Sequence, residues 1–304
     1  MKIQRMIEDN FWVFLLLGML MGFVFSDEAA VLDHYLVVLL MALLYVVFLK
    51  NDMGNALGHI RRPLLLLYLL ACNLLVIPVL VFVFTRGLEP DLKVAVFLLA
   101  CMPSGISAPA LTDIVKGDTA LSLVLTVLSS MIAPLSITGL LYVLYGTAIP
   151  LDYTRLFLGL VAFTLVPLLA SEVTKRCFSG AVERCKGHLG ALSVLILMVT
   201  VTVVIGKEAD YIRSNIADVF HVLLVLYAVF FAFQAAGYFQ AFWLKPDERL
   251  AVSVSKMAMN NVLGMVIAIS YFNPRIALIL VLSEIPWNTM PILYSLFRKI
   301  PRRM

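Results

Sequence analysis

Within the apolar run AVSVSKMAMNNVLGMV (residues 251–266) stands one cation, Lys256, followed by two adjacent carboxamides, Asn260 and Asn261. A charge in hydrocarbon costs at least about 2–3 kcal/mol, and such residues mark substrate or ion pathways. A second charge, Glu284, lies in another apolar run, 275–297. Counted from the turn near Asn273 at about 1.5 Å per residue, it sits roughly 15 Å deep, near mid-membrane. Glu284 is therefore the expected counter-ion of Lys256; an ion pair that only pins two helices together is the competing reading. A third set is made of hydroxyls and backbone breakers. FLLACMPSGISAPALTDIVKGD (97–118) carries Pro103, Gly105 and Pro109, with Ser104 and Ser107 among them. Ser122 and Thr126 follow in the next run, and Asn73 lies in ACNLLVIP. Hydroxyls, amides and single charges in apolar runs suit the binding of ions and solutes. The histidines His34, His59, His188 and His221 are scattered, and no nucleophile–base pair or P-loop is legible, so the chain is not expected to be an enzyme. Cys177, Cys185 and His188 make a weak metal candidate beside the stronger reading of unpaired structural cysteines.

The elements that must position these residues are membrane helices. The chain has 304 residues, 62% hydrophobic and 14% charged, with a mean hydropathy of +1.00; soluble domains average about 25% charged residues. The apolar runs are long and do not alternate, which excludes a β-barrel. Ten spans are expected, at 11–26, 36–50, 63–85, 92–114, 119–145, 155–173, 187–206, 216–243, 249–272 and 275–297. Acidic residues precede the first, and no small-residue cleavage site follows it, so it reads as a retained helix and not a signal peptide. On one side the loops carry only Arg86, Lys93, Arg155, Lys207, Arg213 and Arg275; the other Lys and Arg, Lys256 apart, fall at the termini and on the opposite side. By the positive-inside rule both termini are cytoplasmic, which agrees with an even number of spans. The net charge of +4 lies mostly in loops and points to orientation, not to nucleic acid.

ALSLVLTVLSSMIAP (120–134) aligns without gaps on ALILVLSEIPWNTMP (277–291), with Thr126 meeting Ser283. These segments belong to the fifth and tenth spans, so the chain reads as two five-helix repeats, 1–150 and 151–304, the second inverted relative to the first. The span before each is broken: the fourth near Pro103–Pro109, the ninth near Asn260–Gly264. Irregular backbone at membrane depth is tolerated only where it is buried in protein or lines a cavity. Paired breaks at corresponding places in two halves point to a transport site.

PSGISAPALTDIVKGDTALSLVLT (103–126) resembles the fourth and fifth helices of bacterial members of the bile acid:sodium symporter family, most closely in KGDTALS. The resemblance extends over the whole chain through the ten spans and the inverted repeat. It implies an all-α integral membrane fold with panel and core domains, and discontinuous helices 4 and 9 that cross at their breaks. It also implies transport of a bile-acid-like or small carboxylate anion, usually with sodium. Carried over residue by residue, Ser122 and Thr126 fall on hydroxyl ligands of the sodium site, and Asn73 and Asn260 on glutamines. Asn261 falls on an asparagine of the pattern. The Ser-Asn of the first crossing reads Ala108-Pro109 here, and the glutamate that binds sodium falls on Lys256. Sodium wants several oxygen ligands, whereas an ammonium can fill such a site itself, donating to the hydroxyls of Ser122 and Thr126 and to carbonyls.

The expected function is secondary transport of an organic anion by alternating access. Substrate contacts are expected from Ser104, Gly105, Ser107, Pro109, Asn260 and Asn261. Asn73, Ser122, Thr126, Lys256 and Glu284 form the expected coupling site. Sodium, the coupling ion that the resemblance implies, fits this chain poorly, and no other cofactor is expected. The partners are the organic anion and the lipid bilayer of a bacterial-type inner membrane. A sodium-independent exporter like the auxin-efflux carriers and a proton-coupled carrier stay open beside this reading. From a different class, so do a membrane enzyme and a channel.

Overall fold

The computed structural model describes residues 10–50, 62–146 and 151–290. Among them there is no strand; the chain is built of helices. Among the described residues, six helices are long and apolar enough to cross a membrane, the first covering Asp33–Lys50. We label the elements used below α1 (Phe11–Val24), α2 (Leu36–Lys50), α3 (Pro63–Phe84), α4 (Pro90–Cys101), α5 (Ala108–Ile114) and α6 (Thr119–Tyr145). They continue as α7 (Tyr153–Cys177), α8 (Ser179–Lys207), α9 (Ile216–Phe239), α10 (Pro246–Met257), α11 (Asn261–Tyr271) and α12 (Pro274–Leu282). The other four expected spans fall on the short α1 and on interrupted pairs. The fourth is α4 and α5, the ninth α10 and α11, and the tenth is interrupted at Ser283, after which helix resumes. Pro286 explains the last break, because its ring opposes the carbonyl four residues back, Leu282. The expected end of that span, to residue 297, lies outside the described residues. Between α7 and α8 only Phe178 is non-helical, so the connector left between the expected spans 155–173 and 187–206 is mostly helix ends.

The chain divides into two compact units. One comprises Met1–Asp52, Thr154–Val219 and Val262–Val281; the other comprises Met53–Tyr153, Phe220–Asn261 and Leu282–Met304. Each draws on sequence from before and after residue 150. In the first unit α8 packs along α1 and α2. Small residues let the α1 and α8 backbones approach: the Thr202 hydroxyl donates to the Gly18 carbonyl at 3.1 Å. A Cβ on Gly22 would fall on the Thr202 carbonyl and 2.9 Å from the Gly206 nitrogen. Backbone cannot yield as a side-chain tip can, so Gly22→Val is expected to cost about 1–3 kcal/mol. The check is a lower melting temperature of the purified protein.

In the second unit, Leu66, Leu69, Leu70 and Leu74 of α3 pack with Val124 and Leu125 of α6 and Val252 of α10. The KGD segment sets how α6 starts. Lys116 takes a left-handed conformation (φ 57°), and the Asp118 carboxylate caps α6 by accepting from Leu121 N at 3.0 Å. Asp118 N donates to the Asp247 carbonyl at 2.9 Å, tying that turn to the first turn of α10.

Candidate functional site

α4 stops at Cys101 because Pro103 has no N–H and its ring opposes the Leu99 carbonyl. The unwound segment, residues 102–107, meets the second unwound segment, 258–260. Ser104 and Met259 form an antiparallel bridge. Gly105 N donates to the Ala258 carbonyl at 2.7 Å, and Asn260 N to the Pro103 carbonyl at 2.8 Å. The Trp287 indole donates to the Met259 carbonyl at 2.9 Å. Backbone groups freed by the breaks thus satisfy one another, as the membrane interior requires. The breaks differ from expectation at their edges. Pro109 lies in the first turn of α5, where a missing N–H costs nothing. Gly264 is helical within α11, so the second break ends at Asn260.

A buried run of hydroxyls lies against the crossing. Ser104 N donates to Ser129 Oγ at 3.1 Å, and Ser104 Oγ and Thr126 Oγ1 share a hydrogen bond of 3.1 Å. Thr126 Oγ1 is also 3.3 Å from the Gly105 carbonyl. Ser122 Oγ pairs with Ser255 Oγ at 3.0 Å. Ser107 precedes α5 and accepts from Leu111 N through its carbonyl at 3.0 Å.

Lys256 is 2% exposed. Its ammonium donates to the Asn73 carbonyl at 3.0 Å and to the Ala100 carbonyl at 2.6 Å, and lies 5.4 Å from the Phe233 ring centre. Both carbonyls are vacant because of a proline. α3 widens to a π-turn at Cys72–Val76, where Ile77 N bonds the Cys72 carbonyl. The next donor in that register would be residue 78, but Pro78 has none, and Asn73 O is left free. Ala100 O would normally accept from Ser104 N, which turns to Ser129 instead. Ala100 also sits at the C-terminal, negative end of α4, where a cation is favoured.

Lys256 therefore does not pair with Glu284, and Ser122 and Thr126 do not accept from it; its protons go to main-chain oxygens. Asn73 contributes its carbonyl, while its side chain accepts from Gln240 Nε2 at 3.1 Å. Glu284, 4% exposed, accepts from Asn261 Nδ2 at 2.8 Å and from Asn288 Nδ2 at 3.1 Å. Asn261 and Ser283 exchange two hydrogen bonds, of 2.9 and 3.1 Å. Ser255, Ser129, Ser283, Asn288 and the Ala100 carbonyl were not legible as site members. The run SVSK, with hydroxyls interleaved among apolar residues, was the one signal for Ser255. Cys177 and Cys185 are both exposed, and among the described residues no group of three His, Cys, Asp or Glu could hold a metal.

Long apolar helices with polar residues gathered where two of them break define a helical multi-pass membrane protein of the secondary-transporter class. The profile of the Sodium Bile acid symporter family matches residues 37–215, more than half of the chain, and the chain belongs to that family. It is 24% identical over 283 residues to a Bacillus subtilis protein described as "Uncharacterized sodium-dependent transporter YocS", covering 90% of this chain and 85% of that one. It is 26% identical over 189 residues to "Sodium/bile acid cotransporter 7" of Xenopus tropicalis, 60% of this chain and 53% of that one. A rice chloroplast protein, "Probable sodium/metabolite cotransporter BASS4", is 28% identical over 152 residues, 46% of this chain and 36% of that one.

Proposed function

We propose that this chain carries an organic anion across a bacterial-type inner membrane by alternating access, without an obligatory sodium ion. In this reading ten spans form two inverted repeats, 1–150 and 151–304, arranged as panel and core domains, with both termini cytoplasmic. The anion binds at the crossing, among Ser104, Gly105, Ser107, Pro109 and Asn260, with Asn261 behind. The N-terminal, positive end of α11 favours an anionic head group there, a carboxylate or sulfonate.

One observation carries the sodium-independent part: the Lys256 ammonium bonded to two carbonyl oxygens in the buried space between α3 and α4. Relatives are named as sodium-dependent, but here a tethered cation already sits on two buried main-chain oxygens of this region. A sodium ion about 4 Å from that ammonium would be repelled by about 4 kcal/mol at an effective dielectric of about 20. That is a loss of affinity of roughly a thousandfold.

The test begins with a thermal-shift screen of purified protein against taurocholate and short-chain mono- and dicarboxylates. The best binder is then followed into proteoliposomes with sodium, potassium or choline outside, at fixed pH and zero voltage. Equal, saturable uptake in the three salts is expected. Stimulation by sodium alone that persists in Lys256→Ala would show that the lysine has no part in ion coupling.

A further inference from the structure

We infer that Glu284 is a proton-binding site, and that the proton is the coupling ion of this carrier. The coupling half rests on the transport cycle proposed above; the proton-binding half stands on geometry alone. Glu284 is buried in the protein, at the depth expected for mid-membrane, and none of the ion pairs among the described residues involves it. A carboxylate without a counter-charge is costly at that depth, and a bound proton removes the charge.

Its surroundings suit both forms. As a carboxylate it accepts one N–H from Asn261 and one from Asn288. As a neutral acid it has an O–H to donate. A half-turn of the Asn288 amide, which exchanges its oxygen and nitrogen, would present an acceptor to that proton. Only the O–H bond is made or broken, and the proton enters from one compartment and leaves to the other. Among the described residues, the groups facing Glu284 supply no charge. From α11 there is the Asn261 amide, which is locked to Ser283. From its own helix there is Asn288. From α9 the Tyr227 hydroxyl reaches that helix further along, at Thr289, 2.9 Å away. The cation on α10, Lys256, is turned to the Asn73 and Ala100 carbonyls.

The same helix is wired to the crossing twice. Glu284 holds Asn261, the first residue after the second break, and Trp287 holds the Met259 carbonyl inside it. A proton on Glu284 therefore changes the hydrogen bonds of the segment that has to rearrange when the carrier changes sides.

The experiment uses the full chain in liposomes, first with no solute. Infrared difference spectra between acidic and neutral pH should show a carboxylic-acid C=O band that shifts in heavy water. The band should vanish in Glu284→Gln, persist in Glu248→Gln, and move in frequency in Glu284→Asp, which guards against a misfolded Gln variant. In pyranine-loaded proteoliposomes, the anion found by thermal shift should carry protons in the wild type. Glu284→Gln should move no protons. A missing band, or one that survives Glu284→Gln, overturns the proton site. Counterflow without proton movement in the wild type overturns the coupling. No counterflow of any anion in the wild type instead overturns the carrier reading, and the infrared band then decides Glu284 by itself.

Discussion

Lys256→Met is expected to lower the melting temperature of the protein more than any other single change in the second unit. Methionine matches the length and apolar body of the lysine stem but donates nothing. The Asn73 and Ala100 carbonyls would each lose a charge-assisted hydrogen bond, worth about 1.5–3 kcal/mol. With no water at that depth, two buried carbonyls would go unsatisfied. The sum is about 3–6 kcal/mol, a large share of the stability of an ordinary domain. Lys256→Glu separates electrostatics from packing. It sets an anion against the same two carbonyls, an arrangement that a bound cation or, at lower pH, protonation of the carboxyl relieves, so the comparison is made at neutral pH. Its melting temperature should rise with added sodium, which at a hundred times its dissociation constant would stabilise the fold by about 2.7 kcal/mol, while the wild type stays indifferent. A wild type that sodium stabilises as strongly would show that the ammonium leaves the ion site open.

Gly105→Val should weaken anion binding roughly tenfold to hundredfold in protein that still folds. A Cβ at residue 105 would stand 2.7 Å from the Ala258 carbonyl and 2.9 Å from the Met259 carbonyl, closer than Cβ atoms come to oxygen. Neither oxygen is at the end of a flexible side chain. The Gly105 N to Ala258 O bond must lengthen, and the bridge between Ser104 and Met259 must open. Overpacking of this kind costs about 1–3 kcal/mol, and if that cost falls wholly on the crossing it is roughly a tenfold to hundredfold loss of affinity. Isothermal titration with the anion from the thermal-shift screen checks it. Unchanged affinity in Gly105→Val would place the site away from the crossing.

The helices were legible in the sequence because hydrocarbon leaves so few options. Both breaks were legible too, since Pro103, Asn260 and Asn261 cannot all be accommodated in smooth apolar helices. Their limits were less so. Pro109 looks like a breaker but starts a helix, and Gly264, flexible on paper, is held inside one. The partner of Lys256 was not legible, for a clear physical reason. Depth and charge sign single out Glu284, but the lysine is satisfied by main-chain oxygens, and every residue has one of those. Which carbonyl is free depends on where its normal donor has gone, and that is a property of the folded backbone. Glu284 was found as a buried acid but assigned to the wrong partner. The carboxamides that hold it, Asn261 and Asn288, are too common to have been matched to it by type.

The widened turn at Cys72–Val76 has a consequence for how this seat can change over time. One of its oxygens belongs to no particular side chain; it exists because the helix holds one residue more than its hydrogen-bond ladder can use and because Pro78 declines to donate. Exchanging Asn73 for another residue would leave that oxygen in place. Deleting Leu74, Leu75 or Val76 would close the widened turn, leave the Asn73 carbonyl still without a donor because it would then lie four residues before Pro78, and rotate one side of the helix against the other by about 100°, turning the oxygen away from Lys256 while altering no charge. The affinity of this place for a cation is written in the spacing of the chain, and a frame-length change is the mutation to which it is most vulnerable.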